Sequence, residues 1–194
     1  MGSVFLRHGL AVAIALASLS LATYSRAEQA AKVARVVISD AGIYTAVVVQ
    51  RVLDPTLAGG DWAVQENEVV VQQTTVIPAQ PGLCFGIHYT ILGAPLGARV
   101  NITIVDRFPG KGLADPTKRA LLQADSQVVE RFVGQRSYHG YRFENPWELA
   151  PGPWTFEIWA GGRRLATQTF DIVPQQSAPH QKKKLPDCDR GHHA

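Results

Sequence analysis

The chain has 194 residues, room for one domain plus targeting and tail segments, with a formal charge of +3 and two cysteines. The charge is not that of a nucleic-acid binder. Arg7 and Arg26 lie in an N-terminal leader, and Lys182, Lys183, Lys184 and Arg190 against Asp187 and Asp189 lie in the tail, so the part between carries −1 with its bases scattered singly among acids. No basic stripe tracks phosphates, which argues against nucleic acid as a partner.

The leader reads as a secretory signal. Arg7 and His8 precede an apolar run from Gly9 to Ala22, and Ser25-Arg26-Ala27 supplies small residues at the −3 and −1 positions, so residues 1–27 are expected to be removed. The alternative is an uncleaved anchor, for which the run is short of the ~20 residues that span a bilayer. No later segment is apolar enough to span one. The mature protein is expected to begin at Glu28 and to be periplasmic or secreted.

Beyond a polar start, Val36-Val37-Ile38 and Ala46 to Val49 flank Ser39-Asp40-Ala41-Gly42, which predicts two short strands or one strand broken by a bulge. Asp54-Pro55 and Gly59-Gly60-Asp61 mark a turn-rich loop, and Trp62 to Thr75, polar on both faces, reads as an edge strand. Ile77 to Gly82, with two prolines, reads as a stiff connector. Leu83, Phe85, Ile87, Tyr89 and Ile91 then share one face of a central strand, with Cys84, Gly86, His88 and Thr90 on the other. After the turn at 93–97, Val100, Ile102 and Ile104 alternate in a strand expected to pair with it as an antiparallel hairpin.

Asp115-Pro116 places a capping residue before proline, so a short helix is predicted over 115–122. Val128 to Val133 and Tyr138 to Phe143 follow as strands. The most legible element is the hairpin over Trp154–Val173: Trp154, Phe156 and Ile158 alternate with Thr155, Glu157 and Trp159, and Gly161-Gly162 suits the positive φ angles of a tight turn. The tail, 174–194, has almost nothing apolar to bury and is expected to be disordered. About seven strands with turn signals every eight to twelve residues predict an all-β, antiparallel two-sheet immunoglobulin-like sandwich over 28–173 with one short helix. A closed β-barrel is the alternative.

Gly42-Ile43-Tyr44, Ile77-Pro78-Ala79 with Gly82 and Phe85-Gly86, Phe108-Pro109-Gly110, and Glu148-Leu149-Ala150-Pro151-Gly152-Pro153-Trp154 resemble a bacterial domain-of-unknown-function family of small exported β-sandwich proteins. The resemblance spans most of Asp40 to Val173 and implies a compact β domain. It carries no activity, substrate or catalytic residue.

Candidate chemistry is sparse. Cys84 and His88 share a strand face but lie ~13 Å apart on an extended chain, too far for proton transfer. Cys84 and Cys188 can pair in an oxidising compartment or stand as free thiols. No carboxylate pair has a spacing that argues acid/base work; Asp106 and Asp115 read as a strand end and a helix cap. His139 reads as a surface imidazole or a binding residue. In the tail, His180, Cys188, His192 and His193 can bind Zn or Cu, although their spacing fits no structural zinc site. Trp154 belongs in the core and Trp159, of opposite parity, points outward. No cofactor is implied, and catalytic residues are not identified.

Three functions follow. The first is a non-enzymatic envelope module that binds a protein or envelope partner through Tyr138, His139, Trp147 and Trp159. The second is a hydrolase-type enzyme whose site is assembled from loops, with His88 or His139 beside a carboxylate in a pocket. The third is metal handling by the tail.

Overall fold

Alternation of apolar and polar side chains becomes nine strands in the computed structural model, which describes residues 31–175. They are β1 (Lys32–Leu53), β2 (Asp61–Gln73), β3 (Val76–Ala79), β4 (Cys84–Ala94), β5 (Arg99–Arg107), β6 (Ala124–Phe132), β7 (Arg136–Arg142), β8 (Gly152–Ala160) and β9 (Arg163–Pro174). Two sheets form, with orders β2-β1-β4-β7 and β3-β9-β8-β5-β6, all neighbours antiparallel except β3 and β9. This is the two-layer immunoglobulin-like sandwich expected from the pattern. The leader and the tail beyond residue 175 lie outside the described residues, as do His180, Cys188, His192 and His193.

The layer between the sheets is filled from both sides. Phe85, Ile87, Tyr89 and Ile91 of β4, Ile102 and Ile104 of β5, Trp154, Phe156 and Ile158 of β8, and Phe170 and Ile172 of β9 are all buried in one cluster. Phe85 meets Trp154 edge-on at 5.9 Å and stacks on Phe156 at 5.5 Å, so the two sheets touch through aromatic rings. Each such side chain contributes ~1.5–3 kcal/mol by leaving water. The turn at Gly161 and Gly162 has φ of 55° and 73°, the doubly positive conformation that a two-residue hairpin requires.

The segments of the family resemblance serve this packing. Glu148 closes the 3₁₀ turn Pro146–Glu148, accepting the backbone N–H groups of Glu144 at 2.6 Å and Asn145 at 2.9 Å. Trp154 donates its Nε1–H to the Ala150 carbonyl at 3.0 Å, and Phe108 packs on the Trp154 ring at 4.9 Å. Gly152, at φ 121°, leaves space that Pro109 occupies: a Cβ there would lie 3.0 Å from the proline ring.

Three expectations are corrected. First, β4 and β5 do not form a hairpin; they lie in different sheets, β4 between β1 and β7, β5 between β8 and β6. Both present an apolar face, and an arch between layers buries both as well as a hairpin would. Second, Val76–Ala79 is a short strand paired in parallel with β9, tolerated because Pro78 sits on a sheet edge. Third, residues 115–122 form a turn, not a helix. Asp115 Oδ1 accepts the Thr117 backbone N–H at 2.8 Å and its hydroxyl at 2.7 Å, and Leu113 and Leu122 bridge, so the aspartate closes a turn on itself. By contrast β1 is one long strand interrupted by bulges, one of the two forms its pattern allowed.

Truncating Trp154 to alanine empties the centre of the layer and leaves the Ala150 carbonyl without its donor; the variant should lose ~3–5 kcal/mol of unfolding free energy in a denaturant titration. A loss under ~1 kcal/mol would show that this ring is not central to the core.

Candidate functional site

The sandwich has a seam along the side where β7 and β6 end their respective sheets. There the inward-facing positions change character. Ile102 and Ile104 are followed by Asp106 on β5, and Phe143 and Tyr141 are preceded by His139 on β7, so polar side chains replace apolar ones at the rim. The seam is spanned by an arm. β4 stops pairing with β1 at Tyr44, but β1 and β2 continue as a hairpin out to Leu53 and Asp61. The far end of this arm is tied back by the Ala58 N–H to Asp125 Oδ2 at 2.8 Å, by Arg51 to Glu144 at 2.6 Å, and by Lys118 to the Pro55 carbonyl. Between arm and seam lies a cleft of about 520 Å³ lined by residues of β2, β6 and β7.

The chemistry of the cleft centres on Asp106, Asp125 and His139. Asp106 and Asp125 are direct partners across β5 and β6, so their side chains leave the sheet on the same side. Opposed side chains at such a pair have Cβ atoms ~4.5–5.5 Å apart, and like charges there repel. Both carboxyls are buried, at 7% and 8% exposure. His139, 7% exposed, holds its Nε2 2.7 Å from Asp106 Oδ1 and lies edge-on to Phe156. Asp125 is different: Oδ2 accepts the Ala58 N–H, and Oδ1 has no partner among the described residues. Burial, with a further push from the Asp106 charge, raises its carboxyl to about 6. Burial also raises the Glu148 carboxyl and the Tyr141 phenol. Glu148 is nonetheless spent on closing its turn.

The sequence-selected residues divide. Tyr138 and His139 both line the cleft, pointing to opposite sides of edge strand β7. His139 is not the surface imidazole expected; it is buried because its strand parity turns it toward the core. Tyr138 leans over Gly86 and Gly140, which face each other across β4 and β7 and leave room for its ring. Its ring centroid lies 5.0 Å from that of Tyr44 and 5.5 Å from that of His88, and burial raises its phenol. Trp147 is elsewhere, half-buried in the 3₁₀ turn against the core. Trp159 has the outward parity expected but is half-covered: its Nε1–H donates to Glu157 Oε2 at 2.9 Å, and Arg164 lies over its ring. Glu157 is itself held by Arg107 and Arg164, which depress its carboxyl against the cost of burial.

His88 is buried against Tyr44, 3.7 Å from Asp40, with burial lowering its imidazole. Cys84 is disulfide-bonded, so it is no nucleophile. The carboxylate pair Asp106 and Asp125 was not visible in the sequence, where the two lie far apart. Only the β5–β6 register joins them, and the signal that could have found them is that both are acids at inward positions of otherwise alternating strands.

Residues 32–172 match the family described as Domain of unknown function (DUF3859). No curated protein matches the chain. Among solved structures, an immunoglobulin-like protein from Pseudomonas aeruginosa is 24% identical, with 72% of this chain and 98% of that chain covered and a TM-score of 0.49. No helix among the described residues is long and apolar enough to cross a membrane.

Replacing Asp125 by asparagine keeps an acceptor for the Ala58 N–H and removes the ionisation. The folded-state carboxyl titrates near 6 and the unfolded one near 3.8. Stability from this group is therefore full below about pH 4 and is lost as the pH rises through about 6. Asp125→Asn should match the parent at about pH 4 and exceed it by ~2–3 kcal/mol at about pH 8 in denaturant titrations. A variant less stable than the parent at about pH 8 would contradict this.

Proposed function

The chain belongs to that family of domains of unknown function, and from this premise we propose that it is an exported β-sandwich that captures a small ligand, or a side chain of a partner, in the cleft between the β1–β2 arm and the β6–β7 seam. The observation that carries the reading is Asp125, a carboxyl more than nine-tenths buried that lines the cleft with one oxygen unpartnered among the described residues. A buried polar atom without a partner costs free energy and persists where something else uses it. The facing Asp106 adds to that cost. The volume suits a small molecule. Trp159, with its indole N–H and ring already engaged, supports a sheet-face site less well.

Export is supported by the secretory pattern of residues 1–27 and by the disulfide at Cys84, which fits an oxidising compartment. A hydrolase-type activity is the second reading, favoured by one observation: His139 held on Asp106 beside a carboxyl that titrates near 6 is an acid/base arrangement. It differs in outcome, since Asp125→Asn would abolish turnover of a bound compound.

Two measurements check this. The mass of the protein recovered from a periplasmic fraction should place its first residue at Glu28; an intact Met1 would remove the export reading. A small-molecule library screened by amide chemical-shift perturbation should move resonances of β2, β6 and β7, and Ala63→Trp, which narrows the cleft, should abolish those shifts. Hits confined to the face around Trp159 would overturn the cleft.

A further inference from the structure

The charge of the cleft says what it would take. Seven carboxylates line it against three arginines; of the seven, Asp61 and Glu144 pair with Arg51 and Glu148 closes its turn, and Glu68, Asp106, Asp125 and Glu130 make up the rest. Of those arginines, Arg51 is engaged by Glu144 and Asp61, and Arg131 by the Tyr89 hydroxyl and the Glu130 carbonyl. His139 faces Asp106 through a single oxygen, Oδ1, and nothing among the described residues offers a donor to Asp125 Oδ1. Two carboxyls held face to face are relieved by a proton or by a positive group placed between them. Trp62 and Tyr141 are also on the lining, and an organic cation is attracted to the face of such a ring. A bare metal ion is served less well: no group of three His, Cys, Asp or Glu among the described residues is arranged to hold one.

We propose that the cleft receives an organic cation, the guanidinium or primary ammonium group of a basic ligand, with its N–H donors on Asp106 and Asp125 and its carbon chain along Trp62. The proposal rests on the cleft being the binding site and adds the chemistry of the ligand. A planar guanidinium spans two carboxylates with several donors, and an ammonium answers them as a point charge. Binding competes with the proton on Asp125. The groups facing that carboxyl are Asp106 of β5, His139 and Tyr141 of β7, Asp54 and the Ala58 N–H of the arm, and Lys118 of the turn before β6. The cation is therefore held more tightly above pH 6 than below it.

The test uses the full mature protein with agmatine and cadaverine as probes, and with pentanol and glutarate as neutral and anionic controls, followed by calorimetry and amide shifts. Agmatine or cadaverine should bind with shifts at Asp106, Asp125 and His139, weaken by about tenfold in Asp125→Asn and as the pH falls from about 7.5 to about 5, and weaken with added salt. The two probes separate a guanidinium site from an ammonium site. Asp106→Asn is the independent second variant and should weaken binding without unfolding, as thermal melting confirms. Binding of a neutral or anionic library compound in the cleft with no cation bound would overturn the cation while leaving the cleft intact. Absence of every shift on β2, β6 and β7 would overturn both. Calcium bound in place of either amine would also overturn the proposal.

Discussion

Everything in the fold depends on the apolar layer that meets at Phe85. Its ring is surrounded by those of Tyr141, Phe143, Trp154, Phe156 and Phe170, contributed by β7, the loop after it, β8 and β9. Among the described residues the two sheets share no backbone hydrogen-bond ladder, so these side chains hold them together and set their orientation. Aromatic pairs at such distances add to the area they bury. The residues of the family resemblance contribute to the same packing. Glu148 fixes the turn, Gly152 admits Pro109, and Phe108 backs Trp154. The most specific stretch of the sequence thus holds the core together, which explains why it pointed to a fold and to no activity.

The cleft exists where that layer runs out. A sandwich of open sheets has edges, and β6 and β7 end their sheets and line one cleft with no ladder between them among the described residues. At that rim the inward positions carry Asp106, Asp125 and His139 in place of hydrocarbon. The β1–β2 arm covers the opening by overrunning the sheet, and the hydrogen bond from Ala58 to Asp125 ties the cover to the acid it shields. Burial therefore acts twice on Asp125: it removes water, and it leaves the Asp106 charge poorly screened, so both raise the carboxyl in the same direction.

Elsewhere buried charge is answered locally. Glu157, also buried, is met by Arg107, Arg164 and the Trp159 indole on the outer face of its sheet, and its carboxyl is depressed where that of Asp125 is raised. The contrast separates an acid that the fold has neutralised from one it has left open, and it is why the proposed site is the seam.

Alternation alone decided which residues of Leu83 to Leu92 and Trp154 to Ile158 face inward, and Gly161-Gly162 alone decided the last turn, because a strand's period and a turn's φ angles are local properties. The two-layer class followed from those local facts. Which strand lies beside which did not. β4 and β5 present equally apolar faces, so pattern could not say that they part into different sheets, and the turn at Asp115 wrote the same Asp-Pro signal as a helix start. The candidate site was half legible for the same reason: Tyr138 and His139 are adjacent in the chain, but Asp106, Asp125 and the Ala58 N–H meet only through the register of β5 on β6 and the fold-back of the arm. A strand's sequence says which way a side chain points; what stands opposite it is settled by the long-range pairing that buries the most apolar surface at once.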